Sequence, residues 1–205
     1  MKYILSLLIL FFLYGQIKSQ KTILLGPEVQ ARYYRFYESP GIEWLNSGTF
    51  RPAAGARMTI PVKPDWRLSV GLQVSFAGQP VYGSLNEFTF ARIPLLIQWQ
   101  KSLKKEGRWY YFLRTGATGE YLARVVHREN NVSVKITDYT SPFFVSATLE
   151  TGISHRQPSG SEWVLLAGSD WGFYGDIPAY PDGNRGPIFR TSAFFISATW
   201  LFELL

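Results

Sequence analysis

The chain has 205 residues, with 21 Lys and Arg against 15 Asp and Glu, and it contains no cysteine. The missing cysteine excludes disulfides, thiolate metal sites, thiol catalysis and a lipid anchor carried on cysteine. A net charge of +6 is too mild to argue for nucleic acid, while 17% aromatic and only 18% charged residues indicate much surface that avoids water.

Residues 1–19 read as a cleaved signal peptide. Met1-Lys2 supplies a positive start, Ile4 to Tyr14 an apolar run, and Lys18-Ser19-Gln20 a polar exit with a small residue. The run is too short to cross ~30 Å of hydrocarbon as a helix, and no later stretch approaches the ~20 apolar residues that a helical span needs. Cleavage leaves one domain, residues 20–205, and removes Lys2 and Lys18, so that the formal charge falls to +4.

Eight runs in the mature chain alternate with period 2: about 24–36, 49–61, 66–76, 88–100, 108–124, 142–155, 162–174 and 190–205. The clearest is WRLSVGLQVSF at 66–76. Trp66, Leu68, Val70, Leu72, Val74 and Phe76 share one side, and Arg67, Ser69, Gly71, Gln73 and Ser75 the other. That spacing fits a strand and no helical face. Lys63-Pro64-Asp65, Lys101–Gly107 and Gln157–Ser161 read as short turns, whereas 37–48, 77–87, 125–141 and 175–189 read as four longer loops. Eight strands with short turns at one end and long loops at the other predict an all-β, eight-stranded antiparallel up-and-down transmembrane β-barrel.

Strand charges are mostly Arg with acids: Arg32, Arg57, Arg92, Arg114 and Arg124 against Glu28, Glu120, Glu150, Asp170 and Glu203. The planar guanidinium suits confined ion pairs, and an eight-stranded interior is just wide enough for side chains to fill. The polar side is therefore expected to face a lumen plugged by Glu28, Arg32, Arg57, Arg92, Arg114, Glu120, Glu150 and Asp170, and the apolar side to face lipid. Trp66, Phe76, Trp99, Trp109, Tyr121, Phe143, Trp163, Trp171, Trp200 and Phe202 then fit two interfacial girdles.

The loops offer exposed apolar side chains for protein contact, chiefly Trp44, Leu45, Tyr82 and Tyr180. Two histidines exist. His127 is expected in the third long loop, with Glu129 and Ser133 nearby but not spaced to converge as a catalytic set. His155 is expected at the opposite end of the barrel. Neither a shared metal site nor hydrolase chemistry is expected, and no cofactor is implied.

The run FTFARIPLLIQWQ at Phe88–Gln100 resembles the signature of the PorT-type outer-membrane β-barrel domain family, in which an aromatic-rich strand passes through Ile-Pro-Leu-Leu, here Ile93-Pro94-Leu95-Leu96. The chain departs from the usual pattern by closing on Leu204-Leu205 instead of an aromatic. The resemblance implies an accessory role in an envelope or secretion assembly. Pro94 cannot donate to a ladder, so a bulge or irregular pairing is expected there.

Together these features predict a small barrel with a closed polar lumen in the outer membrane of a Gram-negative bacterium. The expected partners are outer-membrane lipid and a protein of an envelope or secretion assembly, with no nucleic acid or metal. A narrow diffusion pore and a lipid-modifying enzyme are the alternatives.

Overall fold

Period-2 alternation makes one face of every strand apolar, and eight such strands hide their hydrogen-bonding edges only by closing on themselves. The computed structural model describes residues 22–37, 49–81, 84–104, 107–129, 132–136, 143–173 and 190–204. They form β1 (Ile23–Tyr37), β2 (Thr49–Lys63), β3 (Trp66–Val81), β4 (Ser84–Ser102), β5 (Trp109–Glu129), β6 (Val132–Ile136), β7 (Phe143–Arg156), β8 (Glu162–Phe173) and β9 (Arg190–Leu204).

All pairings are antiparallel. β1 to β5 pair in sequence, β5 pairs with β7, and β7 with β8 and β9. β9 returns to β1, from Ile23↔Leu204 to Tyr37↔Arg190, and closes an eight-stranded barrel. The ninth strand, β6, lies outside this circle. It pairs with the upper part of β5, from Val125↔Ile136 to Glu129↔Val132, where β7 no longer accompanies it.

The loops expected at 77–87 and 125–141 are therefore largely strand. β3 and β4 continue until Val81 pairs with Ser84, and β5 continues through His127 to Glu129 before turning back as β6. Alternation was hidden there because the extension stands clear of the lipid and carries Gly78, Asn86 and Glu87 among its apolar residues. Residues 1–21, 38–48 and 174–189, which hold the expected signal peptide, Trp44, Leu45 and Tyr180, lie outside the described residues, as does Tyr82.

Exposure is inverted relative to a water-soluble protein. Leu72 and Ile196 at mid-strand are 63% and 62% exposed, while their chain neighbours Gln73 and Ser197 are 2% and 3% exposed. Val29, Ile93, Leu95, Ile97, Val145 and Leu165 extend this exposed apolar surface around the barrel. A belt of this extent is unstable against water and fits lipid.

Aromatic rings mark both margins of the belt. At the end carrying the termini, Trp163 stacks on Trp200 at 4.4 Å and Trp200 meets Phe202 at 4.8 Å. At the other end Tyr33 meets Phe50 at 4.9 Å and Tyr121 meets Phe143 at 5.0 Å. The path from Trp66 to Phe76 is about 34 Å long at ~3.4 Å per residue. At a tilt of ~40° it rises ~26 Å, which matches the ~25 Å apolar band of outer-membrane barrels.

Candidate functional site: the lumenal ion-pair layer

Each inward-facing strand position contributes a side chain to a narrow interior. The eight charged residues expected to fill it, Glu28, Arg32, Arg57, Arg92, Arg114, Glu120, Glu150 and Asp170, are all buried and meet at mid-height. Arg57 donates from Nε and Nη2 to the two oxygens of Glu28, each at 2.9 Å, and Nη2 also reaches Glu150 across the lumen at 3.0 Å. Glu150 accepts a further bond from Arg114 at 3.1 Å. Arg92 donates to Glu120 at 2.7 Å and to Asp170 at 2.5 Å. Arg32 also pairs with Asp170.

Four guanidinium groups thus face four carboxylates, and the layer carries no net charge. Such matching is what makes buried ions tolerable, because an unpaired charge in this interior would cost several kcal/mol.

Neutral side chains join the pairs into a closed circuit. Glu28 accepts from Gln30 at 3.1 Å, and Gln30 accepts from Arg32 at 2.6 Å. Arg32 and Arg92 share Asp170; Arg92 donates to Gln73 at 3.0 Å, and Gln73 donates back to Glu28 at 2.6 Å. Ser197 and Ser69 bond Glu28 and Arg57, Gln98 bonds Arg114, and Thr148 bonds Asp170. The sequence singles out the ions and places Ser69, Gln73 and Gln98 on the lumenal side, but does not assign them as partners of the ions. The signal was available, since Gln30, Gln73 and Gln98 share strand parity with Arg32, Ser75 and Arg92.

The interior is not polar throughout: apolar layers flank the ion layer on both sides. Tyr34, Phe88, Phe90, Leu122, Val125 and Phe144 pack together above the ion layer. Leu24, Phe112, Val164, Leu166, Phe195 and Leu201 pack below it. Phe195 lies under the guanidinium of Arg32 and Phe112 under that of Arg114, each with 4.4 Å from ring centroid to charge centre. These aromatic contacts are favourable for a cation. The apolar layers exclude water, so the intervening ion pairs act through a low effective dielectric. Below the lower layer, Arg67 grips both oxygens of Glu162 at 2.9 and 3.0 Å, a pair that the sequence reading did not anticipate.

Two charges assigned to strands do not enter the lumen. Arg124 follows a register shift opposite Thr89/Phe90 and is exposed on the outer side, and Glu203 is exposed beside Gly160 in the turn before β8. Pro94 faces the lumen, and the irregular pairing expected there takes the form of a gap in the ladder and not of a bulge. The register of β3 with β4 is the same at Val70↔Leu95 and Gln73↔Arg92, and the ladder merely skips the Gly71 and Leu72 positions. Gly71 opposite Pro94 makes this possible, since a Cβ at 71 would lie 2.7 Å from Pro94 Cγ.

His127 belongs to β5, paired with Asn86 and Val134, rather than to a loop, whereas His155 packs on Trp109 at 4.6 Å near the other end. Ser133 and Glu129 are ladder partners of Arg128 and Val132 respectively. Among the described residues no group of three or more His, Asp or Glu has the arrangement of a metal site.

No protein-family model matches the chain, and no curated protein matches it. Solved structures do. The outer membrane protein OprG from Pseudomonas aeruginosa superimposes with a TM-score of 0.56 at 8% identity, covering 90% of this chain and 95% of that one. Neisserial surface protein A gives 0.50 at 10% identity, covering 85% and 95%. At such identities the likeness shows the fold, that of an outer-membrane β-barrel.

Proposed function

We propose that the protein is a closed structural and interaction barrel of a Gram-negative outer membrane, acting by what it presents at its rim and not by what passes through it. The observation that carries this reading is the circuit Glu28–Gln30–Arg32–Asp170–Arg92–Gln73, sealed above and below by aromatic and aliphatic layers. A conducting path would have to break charge-assisted bonds in an interior that side chains already fill. The exposed apolar belt and its two aromatic margins support the membrane address.

Within this reading, Ile93-Pro94-Leu95-Leu96 supports a PorT-type accessory role in an envelope or secretion assembly. Trp44, Leu45, Tyr82 and Tyr180 are then the first candidates for contact with a protein partner.

Planar-bilayer recording of the purified mature protein tests the closed lumen. The expected trace has no stable conductance steps, and reproducible open channels would replace this reading with a narrow diffusion pore. Extraction in mild detergent, followed by the mass of the intact particle, tests the assembly role. A co-purifying protein in fixed stoichiometry supports it, and a bare barrel removes it.

A further inference from the structure

Above the outer aromatic margin, the extended β3–β4–β5 wall and the start of β2 enclose a cleft of about 280 Å³. Its charged lining is three arginines, Arg51, Arg124 and Arg128, against one acid, Glu87. The guanidiniums of Arg51 and Arg128 converge on the same carboxylate, reaching opposite oxygens of Glu87 at 3.7 and 2.9 Å. Arg124 has no ion pair among the described residues and is exposed. The remainder of the lining includes Pro52, Phe76 and Val126.

Height and chemistry combine here. Phe76 belongs to the aromatic margin and faces lipid, so the cleft begins at the boundary between hydrocarbon and headgroup. Arg124 and Arg128 lie on the outward side of β5, opposite Thr89 and Leu85, on the first and fifth rungs beyond the bulge. A ligand matching this lining has an anionic group large enough for two or three guanidinium forks, with an apolar body continuing along Phe76 and Pro52. Guanidinium forks bind phosphate oxygens with paired, charge-assisted hydrogen bonds. Glu87 already holds two of the arginines together, which limits their entropy cost, and leaves an excess of positive charge for the ligand.

We propose that this cleft binds the phosphate of a phosphorylated lipid headgroup in the outer leaflet, with Arg124 and Arg128 as the principal ligands and Arg51 as the third. The proposal rests on the membrane placement given above, but not on the closed lumen or on any protein partner. The site would fix the rotational position of the barrel relative to its surrounding lipid, because only one side of the rim carries it.

The test uses the mature protein reconstituted in nanodiscs, with diphosphoryl lipid A, its dephosphorylated form and inorganic phosphate as separate probes, and native mass spectrometry of retained lipid as the readout. Saturable retention of the phosphorylated lipid is expected, together with loss of about tenfold or more in affinity for R124Q/R128Q. E87Q should bind at least as tightly as the parent, because it removes a competing anion. Folding is checked independently by the heat-dependent gel mobility of each variant, whose changed side chains lie outside the buried interior. Equal retention of both lipid forms, or an unchanged R124Q/R128Q, overturns the proposal. Competition by inorganic phosphate at the concentration of lipid A overturns the lipid assignment. Failure of the parent protein to enter nanodiscs at all instead overturns the membrane placement.

Discussion

Arg57 holds Glu28 through two parallel 2.9 Å bonds, although the two residues lie on neighbouring strands whose ladder pairs Arg57 with Gly26 and Glu28 with Gly55. The diagonal offset lets the fork reach both carboxylate oxygens, and the glycines admit the close approach of the neighbouring strands, since a Cβ at 26 or 55 would lie 1.7 or 2.1 Å from the carbonyl oxygen of Trp200 or Leu72. Both ions are fully buried, so each depends on the other for compensation.

Glu28→Ala should therefore cost about 3–5 kcal/mol, because Arg57 is left sharing Glu150 with Arg114 as its one carboxylate in a dry interior. The E28Q/R57M double variant should be markedly less destabilised than the sum of its single substitutions. Urea unfolding in detergent micelles, followed by tryptophan fluorescence, measures both. Additive effects would mean that the pair is not coupled.

The inward and outward faces make opposite predictions one residue apart. Leu72→Arg places a charge at the hydrocarbon midplane and should cost about 2–4 kcal/mol in folding into liposomes. Leu72→Phe should be close to neutral there. At Gln73 the order reverses: Gln73→Leu keeps the volume but strips Glu28 and Arg92 of a shared partner, at about 1–3 kcal/mol. Reversible unfolding from liposomes ranks the three, and equal tolerance of Arg at 72 would argue against lipid on that face.

Pairs of small and rigid residues should show mutual rescue. A Cβ at position 168 would lie 2.5 Å from Phe195 Cζ, as one at 71 would crowd Pro94. Gly71→Ala should destabilise by about 1–3 kcal/mol through overpacking. Pro94→Ala in the same chain should restore most of that loss, since it removes the atom encountered. Thermal gel-shift midpoints of the single and double variants are the measurement, and a double variant no better than Gly71→Ala would show that the clash is not the cause.

Strand positions were legible because lipid and lumen enforce alternation over the whole transmembrane height. Each of the eight barrel strands begins or ends within a few residues of its expected boundary. Above the lipid that pressure disappears: Ala77, Gly78, Glu87 and Val125 to Glu129 are in strands, yet their turn-forming and charged residues resemble a loop. The ion layer was visible as charges of one parity; strand parity also placed its glutamines on the lumenal side, but which ion each amide bonds depends on the register between strands, which no single strand encodes. The apolar layers around Phe195 and Phe144 were legible only as departures from polarity on the inward side, and a strand in isolation does not say whether such a residue closes a lumen or interrupts one.

The circuit also determines how the two ends of the chain come together. Glu28 and Arg32 belong to β1, Ser197 to β9 and Asp170 to β8, so bonds of the circuit cross the seam where the first strand meets the last. An unclosed sheet leaves the Arg32–Asp170 pair and the Ser197–Glu28 bond unmade and its edge strands unpaired, conditions that hydrocarbon tolerates poorly. The last hairpin to arrive therefore completes the ladder and neutralises the interior in a single event. Partly curled forms have no stable resting place in the bilayer, and insertion and closure become one cooperative transition.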